Sequence, residues 1–455
     1  MRIENDLGRD DIKRLALRIA LPSMLAQFVS VFYSIVDRMY IGNIPAVGSI
    51  ALAGVGVCGP VVTMIGSAAF LVGVGGAPLM SMRMGSGNKE QAEKILANAF
   101  LLLIIFSVLM TALVYPFRVP MLQTFGASSV TLPYANTYFS IYLTGTVFAL
   151  LTTGMNQYII CQGFSKTGMK SVIIGAVMNI ILDPIFIFVF DMGVAGAAVA
   201  TVLSQLASCI YVLCFLFGKK APVRITFGGY SFEIIRRILT IGLTPFLIIA
   251  ADNIMIISMN AILQKYGGSL EGDMLVTCAT IAQSFMLVVT MPLGGISGGT
   301  QTILAFNYGA KRPDRVRKAE KYIIMLCVLY TTILFVLAWT AGPLFVRLFT
   351  NDPVLAKEAF RAIKICTLAI IPLGAQYAIV DGFTALGQVQ ISLPLSMFRK
   401  LVYFVALFAL PAVYGARAAF FAETLSDIIS PIVSTIVIAI CFKKILEYRM
   451  KGPTG

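Results

Sequence analysis

Long apolar stretches separated by short polar breaks run through the whole chain and define its predicted architecture. Stretches of about 18 residues or more recur from end to end, and each can cross about 30 Å of hydrocarbon as a helix. Because a bilayer offers the backbone no water, spans at this depth must be helical. The pattern predicts an all-α integral membrane protein with twelve transmembrane helices, at approximately 14–41, 50–82, 93–117, 132–160, 169–190, 194–217, 234–264, 275–306, 319–346, 360–386, 392–411 and 416–442.

Composition supports the same interpretation. Apolar residues make up 58% of the chain and charged residues 12%, and the mean hydropathy is +0.88. Soluble domains carry about 25% charged residues, so this chain has too few charges to cover a water-facing surface. Its first 18 residues mix acids and bases and lack a short apolar core with a cleavage site, so we expect a retained cytoplasmic segment rather than a signal peptide.

The distribution of basic residues predicts the orientation. With a cytoplasmic N-terminus, the inner segments hold 25 lysines and arginines and the outer segments hold 7. Basic residues concentrate on the cytoplasmic side of membrane proteins, so we expect both termini inside, in the inner membrane of a bacterium. Topology accounts for the net charge of +14, and no nucleic acid partner is expected.

The two halves of the chain resemble each other. A shift of 223 positions carries Pro22 onto Pro245 and Asp37 onto Asn260, and a shift of 219 carries the segment at Gln162 onto that at Asp381. Six spans return the chain to its starting side, so the repeats are parallel. We predict two pseudo-symmetric six-helix lobes, an N-lobe at 1–217 and a C-lobe at 232–455, joined by a basic cytoplasmic linker at 218–231.

The absence of histidine excludes several chemistries. A Ser-His-Asp triad, a histidine-ligated metal and an imidazole relay are impossible. The eight cysteines lie singly in apolar runs and are expected to serve as small packing residues. We therefore expect no enzyme and no cofactor. An intramembrane enzyme or a receptor is a remote alternative, and neither explains the parallel repeat.

Polar residues follow one face of span one. They lie at alternating intervals of four and three residues, which places them on one helical face, and they end at Asp37. They are Ser23, Gln27, Ser30, Ser34 and Asp37. An ionisable residue inside a membrane is costly and indicates a functional site. Interhelical hydrogen bonding is the alternative for the serines and the glutamine.

Span five carries a second polar group. Asn179 and Asp183 lie one helical turn apart on the same face. Pro184 has no N–H, so it leaves a carbonyl near Ile180 without its helical donor. Carboxylate, amide and carbonyl oxygens suit a small hard cation, and a buried carboxylate can equally carry a proton. The polar Thr201 of span six is expected beside this group. The alternative is a structural Asp-Pro break near the end of a span.

The second lobe holds its own set of intramembrane polar residues. Opposite charges in this set either neutralise each other or handle substrate or ions, and the sequence leaves both possibilities open. The candidates for substrate or ion binding are Asp252, Asn260, Gln283 and Asp381. The charged residues that accompany them are Arg399, Lys400, Glu423 and Asp427.

Three segments resemble the multidrug and toxic compound extrusion (MATE) family. They are VDRMYIG at 36–42, NIILDPIFI at 179–187, and GVAGAAVAT at 193–201 with Ser204 and Gln205. The resemblance covers nearly the whole chain and is closest to the DinF-like branch. It implies a secondary antiporter that expels small organic cations by alternating access in exchange for H⁺ or Na⁺.

Within that branch, the cation-coupling cluster corresponds to Asp37, Asn179, Asp183 and Thr201. The metal ligands, if sodium is the coupling ion, would be Asp37, Asn179 and Asp183. The resemblance further implies a protein that works in the bilayer without a cofactor, and we expect a monomer. A flippase for lipid-linked oligosaccharides, from the same superfamily, is the nearest rival and would need a broad basic cavity.

Overall fold

The computed structural model describes residues 5–125, 127–350 and 352–451. Its helices are α1 (Ile12–Gly42), α2 (Gly48–Gly85), α3 (Lys89–Thr124), α4 (Leu132–Thr144), α5 (Thr146–Ile160), α6 (Ser165–Pro184), α7 (Gly193–Phe217), α8 (Phe232–Gly309), α9 (Pro313–Thr340), α10 (Gly342–Arg347), α11 (Pro353–Thr367), α12 (Ile370–Ala385), α13 (Val389–Tyr414) and α14 (Phe421–Lys451). A π-helical turn, Ile185–Val189, follows α6, and a 3₁₀ turn, Ala416–Phe420, precedes α14.

Ten described segments are long and apolar enough to cross a membrane, and two bent helix pairs raise the number to twelve. The long element α8 contributes two of the ten, Phe232–Gly268 and Met274–Gly309, because Gly268 breaks the helix with a φ of 62°. The predicted all-α architecture with twelve spans is confirmed.

The two bent spans occupy equivalent places in the repeat. In span four, α4 and α5 meet at 57°, and in span ten, α11 and α12 meet at 46°. The two bends are separated by about 223 positions, the shift that relates Pro22 to Pro245 in the sequence. The bends therefore extend the internal repeat from sequence to backbone geometry.

The chain forms two compact units. Among the described residues, unit 1 consists of 5–7 together with Leu21–Ile249, and unit 2 consists of Gly8–Ala20 and the residues from Ala250 onward. The boundary inside α1 falls just before Pro22, and the boundary inside α8 falls shortly after Pro245. The compact units divide the chain inside α1 and α8 rather than at the predicted linker. The lobe limits at 217 and 232 therefore remain a prediction.

The segment 218–231 packs on unit 1. The Val223 N–H donates to Oε1 of Gln162 at 2.9 Å, and the Ser231 N–H donates to Oδ1 of Asn98 at 3.0 Å. Both acceptors are buried side chains. This part of the chain is thus held by side chains of α3 and of the turn after α5.

Glycines let α2 and the beginning of α8 touch backbone to backbone within unit 1. A Cβ on Gly75 would lie 2.8 Å from the backbone nitrogen of Gly242, and a Cβ on Gly242 would overlap the carbonyl oxygen of Leu71. Small residues at helix crossings are the usual means of close packing in membranes, where apolar burial alone does not drive association. This contact fixes where α8 enters unit 1.

We expect Gly242→Ala to destabilise the protein by about 1–3 kcal/mol, because the new methyl group overpacks a backbone contact. Gly294→Ala is the matched control on the same helix, since a Cβ there meets no atom within 4 Å, and alanine improves helix propensity. Thermal unfolding of the purified variants in detergent measures the difference. Equal melting temperatures for the two variants would contradict the packing role of Gly242.

Candidate functional site

The polar face of α1 lies opposite a face of large, exposed apolar side chains, which is typical of a helix surface that contacts lipid. Large apolar side chains that repeat at intervals of three and four residues are 41–60% exposed. They are Leu21, Leu25, Phe28, Phe32, Ile35 and Met39. The polar series that ends at Asp37 lies about two residues out of phase with them and is buried or half-buried. Asp37 is therefore on the inner face of the helix.

A local break places Asp183. Because Pro184 donates no N–H, α6 ends there and the chain continues as the π-turn Ile185–Val189. The turn packs closely on α7, where a Cβ on Gly196 would lie 2.7 Å from the Phe186 carbonyl. The glycine allows the end of α6 to approach α7, and Asp183 is fully buried.

The two acids of unit 1 meet. The carboxyl groups of Asp37 and Asp183 lie within hydrogen-bonding range of each other. Nδ2 of Asn179 donates to Oδ1 of Asp183 at 3.1 Å. The structure thus brings α1 and α6 together at the three residues that the sequence singles out there.

Thr201 joins this group through a tyrosine. Its hydroxyl donates to the Ala197 carbonyl at 3.0 Å and also contacts the hydroxyl of Tyr138 on α4. Tyr138 is buried and lies near Asp37. The four predicted residues of the first lobe therefore lie in one region of unit 1, and their role as a cation site remains a prediction.

The sequence analysis did not identify three tyrosines that line this region, Tyr33, Tyr138 and Tyr142. Tyr33 lies one turn before Asp37 and faces both carboxyls. Tyr142 stacks on Tyr138, with ring centroids 6.4 Å apart, and contacts Gln205. The i,i+4 spacing of the two α4 tyrosines could have indicated that both line a polar region, since tyrosine hydroxyls inside an apolar span need hydrogen-bond partners.

Several buried oxygens in this region have no hydrogen-bond donor within the part of the chain that the structure describes. They are Oδ1 of Asp37, Oδ1 of Asn179, Oδ2 of Asp183 and Oε1 of Gln205. Buried acceptors normally have partners, so this set is suited to an added proton or cation. No group of three or more His, Cys, Asp or Glu able to hold a metal occurs in the described ranges. Carboxylate and amide oxygens are the ligands that a small hard cation takes.

The two buried basic residues of α13 in unit 2, Arg399 and Lys400, are paired with acids. Nε of the buried Arg399 donates to Oδ1 of Asp427 at 2.8 Å, and its Nη2 donates to Oε1 of Glu423 at 3.0 Å. Lys400 donates to Oδ1 of Asp252. Three carboxylates thus pair with two bases. For Asp252, the structure shows the pairing of opposite charges that was one of the two alternatives.

The other candidates of the second lobe are separate from these pairs. Asp381 is half-buried on α12 and contacts the side chains of Ser297 and Gln301 on α8. Asn260 is half-buried, and its Oδ1 has no donor among the described residues. Gln283 is half-buried. The structure does not gather Asp252, Asn260, Gln283 and Asp381 into one cluster of direct contacts.

Curated relatives align with nearly the whole chain. The multidrug export protein MepA of Staphylococcus aureus (strain MRSA252) is 21% identical over 434 residues, with 94% of each chain covered. A FAD transporter of Shewanella oneidensis is 26% identical over 420 residues, with 90% of each covered.

Solved structures share the fold. An outward-facing multidrug resistance MATE family transporter of the MOP superfamily superposes with a TM-score of 0.90 at 23% identity, covering 97% of this chain and 98% of the other. A MOP superfamily transporter from Pyrococcus furiosus, described as having a binding pocket of reverse polarity, gives 0.90 at 24% identity, with 99% of each covered. The two-lobed, twelve-helix architecture is thereby confirmed.

The MatE family model matches the chain twice, over residues 22–185 and 249–409. The two matches cover most of the chain, and each falls within one half of the internal repeat. The equivalent prolines, the equivalent bent spans and the two matches all reflect one internal repeat of six spans. The protein is a multi-pass membrane transporter that belongs to the MatE family.

Proposed function

We propose that the protein is a secondary active antiporter that exports small cationic amphipathic compounds in exchange for H⁺ or Na⁺ by alternating access. The observation that carries this proposal is the pair formed by Asp37 and Asp183, with its buried acceptors that lack donors. The proposal includes the DinF-like branch, a bacterial inner-membrane location with both termini cytoplasmic, and a monomer.

The pair requires a positive charge. Two ionised carboxylates in contact inside a membrane repel each other and lose their hydration. A proton shared between Asp37 and Asp183, or a sodium ion held by them with Asn179 and Thr201, removes that cost. Entry of the coupling ion then competes with a cationic substrate for the same acids or alters α1 at Pro22, and either effect links uptake of the ion to release of the substrate.

The driving force is sufficient. Moving one charge through about 150 mV supplies roughly 3.5 kcal/mol, at about 2.3 kcal/mol per 100 mV. At about 1.4 kcal/mol per factor of ten, this supports a substrate gradient of several hundredfold when one net positive charge moves inward per cycle, as when two coupling ions enter for each monovalent cation exported. The chain contains no GxxxxGK[ST] phosphate-binding motif, so an ion gradient is the energy source that we propose.

The paired bases of unit 2 favour this proposal over the flippase. An anionic lipid-linked headgroup would need unpaired positive charge, whereas Arg399 and Lys400 are both bound to carboxylates. The excess of acid in this network is more suitable for cationic cargo. The FAD transporter among the relatives makes a flavin nucleotide the appropriate anionic competitor to test.

We expect Asp37→Asn and Asp183→Asn each to reduce efflux of a fluorescent lipophilic cation by at least about tenfold, since each removes one charge of the site. Efflux from energised inverted vesicles, or from proteoliposomes with an imposed gradient, is the measurement. Asp191→Asn is the matched control, because Asp191 is exposed and asparagine tolerates its positive φ of 52°.

Normal efflux by both site variants would refute the assignment of the coupling site. Loss of efflux in Asp191→Asn to the same degree would show that the effect is not specific to the pair. Excess FAD should not inhibit cation efflux, and strong inhibition by FAD would shift the proposed cargo toward anions.

We expect one of two gradients, Na⁺ or pH, to drive efflux when each is imposed alone on proteoliposomes. Thr201→Ala tests the result independently. A hydroxyl oxygen can be a ligand for sodium but is not needed to hold a proton, so this variant should weaken Na⁺ dependence several-fold and leave proton-driven efflux nearly unchanged. Efflux without either gradient would contradict antiport.

A further inference from the structure

Glu320 on α9 is a buried acid without a partner. The residue is 3% exposed, and neither of its carboxyl oxygens has a hydrogen-bond donor among the described residues. The neighbouring basic residues of α9, Arg317, Lys318 and Lys321, are exposed. A charged carboxylate in this position would lose its hydration without compensation.

The carboxyl group of Glu320 is held against α12. A Cβ on Gly382 would lie 2.6 Å and 2.7 Å from its two oxygens, so only a glycine leaves room for the group there. The residue before this glycine is Asp381, whose charge acts on Glu320. Asp381 in turn contacts Ser297 and Gln301 of α8. Side chains from three elements of unit 2 therefore converge around two acids.

Among the described residues, the titratable groups that interact electrostatically with this pair include no base. The charges of both acids act on the thiol of Cys327, two turns along α9, and the charge of Asp381 acts on the hydroxyl of Tyr377. The described ranges contain no group of three or more acidic or thiol ligands that could hold a metal. A metal ion would need several converging oxygens, whereas a proton needs one acceptor.

The equivalent position in unit 1 shows how such a site is otherwise satisfied. The sequence shift that relates the repeats places Asp381 opposite Gln162, and Oε1 of Gln162 accepts the N–H of Val223 at 2.9 Å. In unit 1, the side chain at this position thus accepts a hydrogen bond from a backbone N–H. In unit 2, Asp381 occupies the equivalent position beside Glu320, whose oxygens have no donor among the described residues.

We propose that Glu320 and Asp381 form a second proton-binding site, which holds one proton on Glu320 and lies between α9, α12 and the second span of α8. The proton removes the buried charge of Glu320 beside the carboxyl group of Asp381. This site is separate from the pair in unit 1 and does not depend on the proposed exchange of ion for substrate.

Infrared spectroscopy of the purified protein at neutral pH tests the proposal, because a protonated carboxyl gives a carbonyl band that an ionised carboxylate lacks. We expect Glu320→Gln to remove one such band per molecule. Glu90→Gln is the control, since the Glu90 side chain is 78% exposed and pairs with Lys94, and it should change nothing in this region. Asp381→Asn should keep the band but shift its frequency, because it alters the group beside the protonated acid.

Retention of the full band in Glu320→Gln, or loss of the Glu320 band when sodium replaces choline in the buffer, would overturn the proposal. Asp381→Asn leaves Glu320 in place, so an unshifted band in that variant would overturn it even if Glu320→Gln fails to fold. Asp37→Asn and Asp183→Asn should retain the Glu320 band. Failure of the efflux experiments and failure of this proposal are therefore distinguishable.

Discussion

Inside the hydrocarbon layer, a polar side chain has no water as an alternative partner, so every inward polar group must be satisfied by the protein or by something that the protein binds. Unit 2 meets this requirement for its bases with Arg399 and Lys400 bound to three carboxylates. The requirement is not met around Asp37 and Asp183 in unit 1 or at Glu320 in unit 2, where acceptors have no donor among the described residues. The paired bases are therefore assigned a structural role, and the acids that lack donors are the sites for which we propose ion or proton binding.

The architecture followed from the sequence because its causes are local or periodic. Span length, apolar runs and the position of Pro22 relative to Pro245 require no knowledge of which helices touch. The bends in spans four and ten were not predicted. The break at Gly145 in span four has neither a proline nor a charge beside it, and in span ten Pro372 follows the break within an apolar run. Likewise, the share of α1 that belongs to unit 2 depends on packing, which composition does not encode.

The candidate site was only partly predictable for the same reason. Asp37, Asn179 and Asp183 are conspicuous because they are polar within apolar spans, and their helical spacing predicts a common face. Tyr138 and Tyr142 were overlooked, since tyrosine is common in membrane helices and only tertiary contacts place these two beside Thr201 and Gln205. Glu320 was not identified as an intramembrane acid. It lies at the very start of the predicted span 319–346, among basic residues that are typical of a cytoplasmic loop.

The break at Pro184 also affects how the site is assembled during synthesis. Asn179, Asp183 and Thr201 all belong to one local hairpin of α6, the π-turn and α7, which Gly196 allows to close tightly. Domains generally fold in order from the N-terminus as the chain emerges. The hairpin, with Asp37 already made, is complete before the part of unit 2 from Ala250 onward is translated. By contrast, Lys400 pairs with Asp252 across 148 residues, so charge pairing in unit 2 is a late event. Truncated chains would retain the predicted coupling residues of unit 1 and lose the ion pairs of unit 2.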